Sequence, residues 1–140
     1  VALPPTQVAL LASPTAFSLA TTSGPICDNA ILISDVTIPD GTKIKPKEEF
    51  KKIWRIQNTG VCTWDEGYSL VYAYGDGRLS GNGFSINDKK EITAPGGTLD
   101  VGMKMVAPEN AGTYSSCWRM QNDRNVLFGT AICVVIEVAK

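Results

Sequence analysis

From Cys27 to the end of the chain, apolar and polar residues alternate in short runs that are broken by clusters of Gly, Pro, Asn and Asp. A repeat of two puts successive side chains on opposite sides of an extended backbone, so such runs specify half-buried strands. No segment carries the apolar repeat of three to four residues that an amphipathic helix needs. Strands are predicted over residues 30–37, 49–58, 68–74, 84–86 with 90–92, 98–106, 112–122 and 128–139. Parity within each run sorts the faces. Phe50, Trp54 and Ile56 share one side, against Lys51, Arg55 and Gln57; Leu99, Val101, Met103 and Met105 oppose Asp100, Gly102 and Lys104. Tyr114, Trp118 and Met120 form a third set, and Ile132, Val134, Ile136 and Val138 a fourth. These sets are the expected core, with Trp54, Trp118 and Tyr114 as its packing mass.

About seven short strands in a chain of 140 residues point to an all-β, Ig-like or fibronectin III-like sandwich. The length supports one domain around one core, and 44% apolar against 19% charged residues is globular composition. Residues 27–140 are assigned to this domain. Residues 1–26 hold Pro4, Pro5, Pro14 and Pro25 among Ser and Thr, with no charge before Asp28, and read as a linker or tail. The apolar run 8–12 is too short to span a bilayer; it is either plain tail or an added edge strand. Any membrane link is expected only through an N-terminal anchor removed with an export signal.

The chain has no histidine, and with it go the commonest general base and the commonest metal ligand. Its four cysteines, Cys27, Cys62, Cys117 and Cys133, include no C-x-x-C pair of the kind that zinc and redox sites use. Two disulfides account for them, in an oxidising, extracytoplasmic compartment. Parity refines this. Cys117 lies on the face opposite Trp118 and Cys133 on the face opposite Ile132 and Val134, so in a hairpin centred near Asn125 they stand across from each other. A cross-strand Cys117–Cys133 bond is expected, which leaves Cys27 to Cys62; closing that stretch contributes about 2–4 kcal/mol in the loop-entropy picture.

A net charge of −1, with 13 basic and 14 acidic residues interleaved, builds no field for nucleic acid. Carboxylates sit at turns and outward positions with no pair placed for glycoside hydrolysis, and Ser115 and Ser116 have no base. No catalytic residue, metal site or cofactor is expected. The candidate binding residues are aromatic and cationic. Trp64 follows Cys62 in a loop beside Gly60 and Asp65, where a partly exposed ring could meet a ligand or close the end of the sandwich. Tyr68, Tyr72 and Tyr74 alternate with the same parity as Leu70, which suggests an inward stripe; an exposed row would instead be a sugar-stacking platform. The glycine-rich stretch 75–83, with Arg78, is either a flexible connector or a recognition loop, and it lacks the acids of a calcium site and the lysine of a phosphate loop.

The block Phe50-Lys51-Lys52-Ile53-Trp54-Arg55-Ile56-Gln57-Asn58-Thr59-Gly60-Val61-Cys62-Thr63-Trp64, with Gly75-Asp76, Ala107-Pro108, Gly112-Thr113-Tyr114 and Cys117-Trp118-Arg119-Met120, resembles the four-tryptophan, next-to-BRCA1-type Ig-like domains. The likeness runs from Ile31 to Val138 and includes the lead-in Asp35-Val36-Thr37-Ile38-Pro39-Asp40-Gly41. It implies an Ig-like module of the kind found in autophagy receptors and in bacterial exported proteins. One departure stands out: there are three tryptophans, and Cys133 takes the place of the fourth. A staple replaces an aromatic contact, and no role that needs the fourth indole carries over. The resemblance implies a non-catalytic protein-binding or scaffolding module, displayed outside a bacterial cell; a carbohydrate or cell-wall binding module is the alternative, and a structural spacer the third reading.

Overall fold

Eight strands form where the two-residue repeats stand: β1 (Ala30–Asp35), β2 (Thr42–Ile44), β3 (Glu49–Asn58), β4 (Ser69–Gly75), β5 (Phe84–Ser85), β6 (Thr98–Val106), β7 (Gly112–Gln121) and β8 (Leu127–Val138). This is a computed structural model, and it describes residues 25–139; the tail reading for the preceding residues, and the choice for residues 8–12, lie outside the described residues. A three-stranded sheet, β1-β3-β6, packs on a five-stranded sheet, β2-β8-β7-β4-β5. Neighbours are antiparallel except β2, which runs parallel to β8. The expected sandwich is present, with one strand more than expected. β2 was too short to show a repeat. The strand expected at residues 90–92 is instead a single 3-10 turn, Lys89–Glu91, set by a capping box between Asp88 and Glu91.

The core lies between the sheets and takes the inward sets. Trp54, Trp118, Val101, Met105, Val134 and Ile136 are fully buried. An indole is favourable to bury when its N–H finds an acceptor, and two of the three do. Trp54 Nε1 donates across the sandwich to the Cys133 carbonyl at 3.0 Å, and Trp118 Nε1 donates to Ser116 Oγ at 2.8 Å. Tyr114, half-buried near the start of β7, donates its hydroxyl to Asn110 O at 2.7 Å, the back-bond of a tyrosine corner.

One inward position is charged. Lys52 shares the inner face of β3 with Phe50, Trp54 and Ile56 and is 0% exposed. Its ammonium has three donors and three acceptors: Asp35 Oδ1 at 2.8 Å, Thr37 O at 2.8 Å and Ile38 O at 2.9 Å. All three acceptors lie where the chain leaves β1 and crosses to β2 in the other sheet. Thr37 adds a second clamp, with its hydroxyl donating to Lys51 O and accepting from Ile53 N–H, both at 2.8 Å. Burial lowers the Lys52 pKa, and the Asp35 hydrogen bond and charge oppose that shift.

The disulfides join Cys27 to Cys62 and Cys117 to Cys133, as parity suggested. The second spans directly opposed residues of β7 and β8. The first brings the chain into the domain beside the β3–β4 loop, where Val61 N–H also meets Ile26 O at 3.0 Å. Next to it, Asp28 accepts from Tyr68 Oη at 2.7 Å and from Asn122 Nδ2 at 3.0 Å, tying the start of the domain to β4 and to the β7–β8 hairpin. Burial first, and then the bond to Asp28, hold the Tyr68 phenol well above its ordinary range.

Two outcomes test these anchors. Asp35→Ala leaves the buried Lys52 ammonium without its counter-charge and should cost about 3 kcal/mol in urea unfolding, the low end for breaking a buried pair because Asp35 is partly exposed; a loss under about 0.5 kcal/mol would refute the clamp. The difference between the alkaline absorbance titrations of the wild type and Tyr68→Phe should show a phenol ionising above the ordinary value of 10.0. Because that folded-state pKa is raised, the stability from Tyr68 is intact below the unfolded phenol's pKa and is lost as pH rises beyond it.

Candidate functional site

The expected binding residues separate into one that is inside and three at the corner where β4 ends, where Tyr72 and Arg78 meet and Tyr74 stands on the opposite face of the sheet. Trp64, expected in a partly exposed loop, is 0% exposed. Its backbone bridges to Thr93, and its ring packs against Phe128 at 6.1 Å between centroids, which folds the β3–β4 loop back over the core. Among the described residues its Nε1 has no acceptor. Of the two roles open to it in the sequence, closing the end of the sandwich is the one its burial matches.

The tyrosine row breaks in two. Tyr68 and Leu70 are buried, and the Tyr72 ring meets Trp118 edge-on at 5.7 Å. Between Tyr72 and Tyr74 the register against β7 slips, with Tyr72 opposite Trp118 and Tyr74 opposite Cys117. An extra residue in one strand sends everything after it to the other face. Tyr74 therefore leaves the inward stripe on which it was expected, stands on the outer face beside Cys117, and is 56% exposed.

Arg78 completes the corner. Its guanidinium lies 5.4 Å from the Tyr72 ring centre, and Tyr72 Oη donates to Gly75 O at 3.0 Å. The loop carrying Arg78 is anchored at several points. Asp76 N–H donates to Ser115 O at 2.7 Å while Asp76 Oδ2 accepts from Ser115 N–H at 2.8 Å. At Gly75, with φ of 119°, a Cβ would fall 2.6 Å from Ser115 O, so only glycine lets the loop approach β7 this closely. Further on, Leu79 is buried and its carbonyl accepts from Val106 N–H at 2.8 Å. The glycine-rich stretch is thus pinned on both sides of Arg78, which departs from the flexible connector expected by default. The corner presents a phenol and a guanidinium on a fixed framework, the side chains that concentrate binding energy in protein interfaces.

Among the described residues no group of three or more His, Cys, Asp or Glu side chains is placed to hold a metal ion. A bidentate ion pair, Arg55 with Asp100 at 2.8 and 3.0 Å, lies on the outer face of the three-stranded sheet. That Arg55 hydrogen bond lowers the Asp100 pKa. The sequence offered no signal for a second outer-face feature, the hollow beside Gly102 on β6.

The chain is similar in sequence to proteins from a plant and from vertebrates. The chain is 40% identical over 110 residues to Protein JOKA2 of Solanum tuberosum, covering 76% of this chain and 12% of that protein. It is 35% identical over 108 residues to Protein ILRUN of Danio rerio, covering 76% of this chain and 36% of that protein. It is 32% identical over 107 residues to the Next to BRCA1 gene 1 protein of Homo sapiens, covering 73% of this chain and 10% of that protein. The chain thus spans only a fraction of the length of each. Residues 37–138 match the model of the Ig-like domain from next to BRCA1 gene. With that match spanning both sheets from the Lys52 clamp to the end of β8, the chain belongs to the family of next-to-BRCA1 Ig-like domains.

Proposed function

We propose that this chain is a non-catalytic protein-interaction module that works outside the cytoplasm. The observation that carries the reading is the corner of Tyr72, Tyr74 and Arg78: an exposed phenol and a guanidinium stacked on a second ring, held by a loop pinned to β7 and β6. Preordering such side chains lowers the entropy cost of binding. Family membership supports an interaction role, and the two disulfides support an oxidising compartment. The same reading takes the chain as an exported bacterial member, with residues 27–140 as the domain and residues 1–26 as its spacer; its bacterial part rests on the sequence resemblance, and the relatives above come from a plant and two vertebrates.

A carbohydrate or cell-wall binding role is the second reading, and Tyr74 favours it to the extent that one exposed ring can stack on a sugar. With Trp64 inside, no row of exposed rings stands beside it among the described residues.

Alanine at Tyr74 and at Arg78 separates the two. Both side chains are exposed, so each variant should melt within a few degrees of the wild type. Crosslinking of the tagged chain to proteins of the secreted fraction should give a discrete product that each substitution weakens about tenfold or more, the scale of an interface hot spot. Retention on insoluble polysaccharide that Tyr74→Ala abolishes, with no protein product, would replace this reading by the second.

A further inference from the structure

The three-stranded sheet ends at β6, which has β3 on one side and, among the described residues, no strand on the other. In an antiparallel pair, alternate residues turn their peptide groups to the partner and away from it. Val106 N–H bonds Leu79 O on the outer side, while Ala107 N–H bonds Glu48 O on the β3 side, so the even-numbered residues of β6 face the free edge. Among the described residues the peptide groups of Asp100, Gly102 and Lys104 on that edge have no backbone partner.

Two adjoining hollows of about 410 Å³ and 260 Å³ open along this edge and share Gly102. Ile53 and Phe84 line the smaller one, and Ser80, Asn82 and Lys104 line the larger. A Cβ on residue 102 would fall 2.9 Å from both Ile53 Cγ1 and Lys52 O, so the absence of a side chain here is built into the sheet. Glycine within a strand marks a place where another backbone or a large side chain can come close.

The charges beside the hollow are out of balance. Lys51 and Lys104 stand directly opposite each other on the outer face, an arrangement that costs stability. Glu49 reaches Lys104 only at 3.8 Å, and among the described residues no carboxylate forms an ion pair with Lys51. Asp100 is already held by both nitrogens of Arg55. The site therefore carries an excess of positive charge in the walls of the hollows themselves, with Lys51 lining the smaller one beside Ile53 and Phe84 and Lys104 lining the larger.

We propose that the free edge of β6 binds an extended acidic segment of a partner protein as an added antiparallel strand, with an aromatic side chain in the hollow over Gly102 and, two residues before it, a carboxylate beside Lys104. Main-chain bonds to Asp100, Gly102 and Lys104 supply affinity, and the alternating side chains supply selectivity. This inference rests on the protein-binding reading and names the chemistry of the partner. Charges on an edge strand also deter uncontrolled pairing, and that role alone predicts no bound peptide.

The test titrates the full, disulfide-intact, 15N-labelled chain with a blocked threonine heptapeptide carrying glutamate at its third position and phenylalanine at its fifth. Amide shifts and slowed hydrogen exchange should centre on Asp100, Gly102 and Lys104. Lys104→Glu, an exposed change that relieves the Lys51–Lys104 repulsion and should not lower the melting temperature, should weaken binding about five- to tenfold. A peptide with lysine in place of glutamate should prefer that variant over the wild type. Moving the glutamate next to the phenylalanine should weaken binding to the wild type, because the two side chains then point to opposite faces. No response at the edge amides, or equal binding of both peptide charges, would overturn the proposal. If that failure came while Tyr74→Ala still abolished capture of a partner, the interaction reading would stand without the groove; if capture failed as well, both would fall.

Discussion

The bond from Trp54 Nε1 to the Cys133 carbonyl ties the two sheets at the middle of the sandwich. The Trp54 ring is fully buried, the bond itself is part-buried, and its acceptor carbonyl belongs to the residue whose sulfur is bonded to β7. Packing such a ring removes some 150–250 Å² from water, roughly 4–6 kcal/mol, provided that its N–H is not stranded. The cross-sheet bond meets that proviso. The Cys117–Cys133 bond then fixes the strand that carries the acceptor to its neighbour, so the cross-sheet tie and the cross-strand staple hold one another in register.

Around this centre, polar anchors occupy the places where an apolar core alone would leave the chain undecided. Lys52 is the clearest. A buried ammonium is unfavourable by itself, and here it is held by the crossover between the sheets, to which it supplies all three donors. At the opposite end, Asp28 joins the start of the domain to Tyr68 and Asn122 beside the Cys27–Cys62 bond. With both ends anchored, the β4–β5 loop can be pinned to β6 and β7, and the Tyr72, Tyr74 and Arg78 corner is a consequence of that frame.

The sequence shows the frame more fully than the surface. Long runs such as residues 49–58 and 98–106 are legible because a two-residue repeat over nine or ten positions leaves few alternatives, and the resulting parity also paired Cys117 with Cys133. Lys52 was legible in principle: it has the parity of Phe50, Trp54 and Ile56, but a lysine in an apolar row gives no sign of the three acceptors that come from residues 35–38. Tyr74 was not legible. A bulge is a property of the pairing between two strands, and the run around Tyr72 alone does not reveal the slip against β7 that turns Tyr74 outward. Trp64 was misplaced for a related reason, because the loop around it looks exposed until its bridge to Thr93, far along the chain, folds it inward. The Gly102 hollow depends on which edge of a sheet is left unpaired, and local pattern says nothing about that.

A double sheet with few catalytic groups and several rigid, chemically distinct outer features is suited to holding other molecules in place. The corner and the β6 edge lie on opposite sides of the β4–β5 loop and depend on the same interior. That interior is most directly tested by exchange of the Trp54 indole proton with deuterium, followed by NMR on the native chain. The account expects exchange only through global unfolding, with a free energy equal to that from urea melts and the same denaturant dependence. Exchange orders of magnitude faster, with no dependence on denaturant, would mean that water reaches the Trp54–Cys133 bond in the folded state, and would contradict the account.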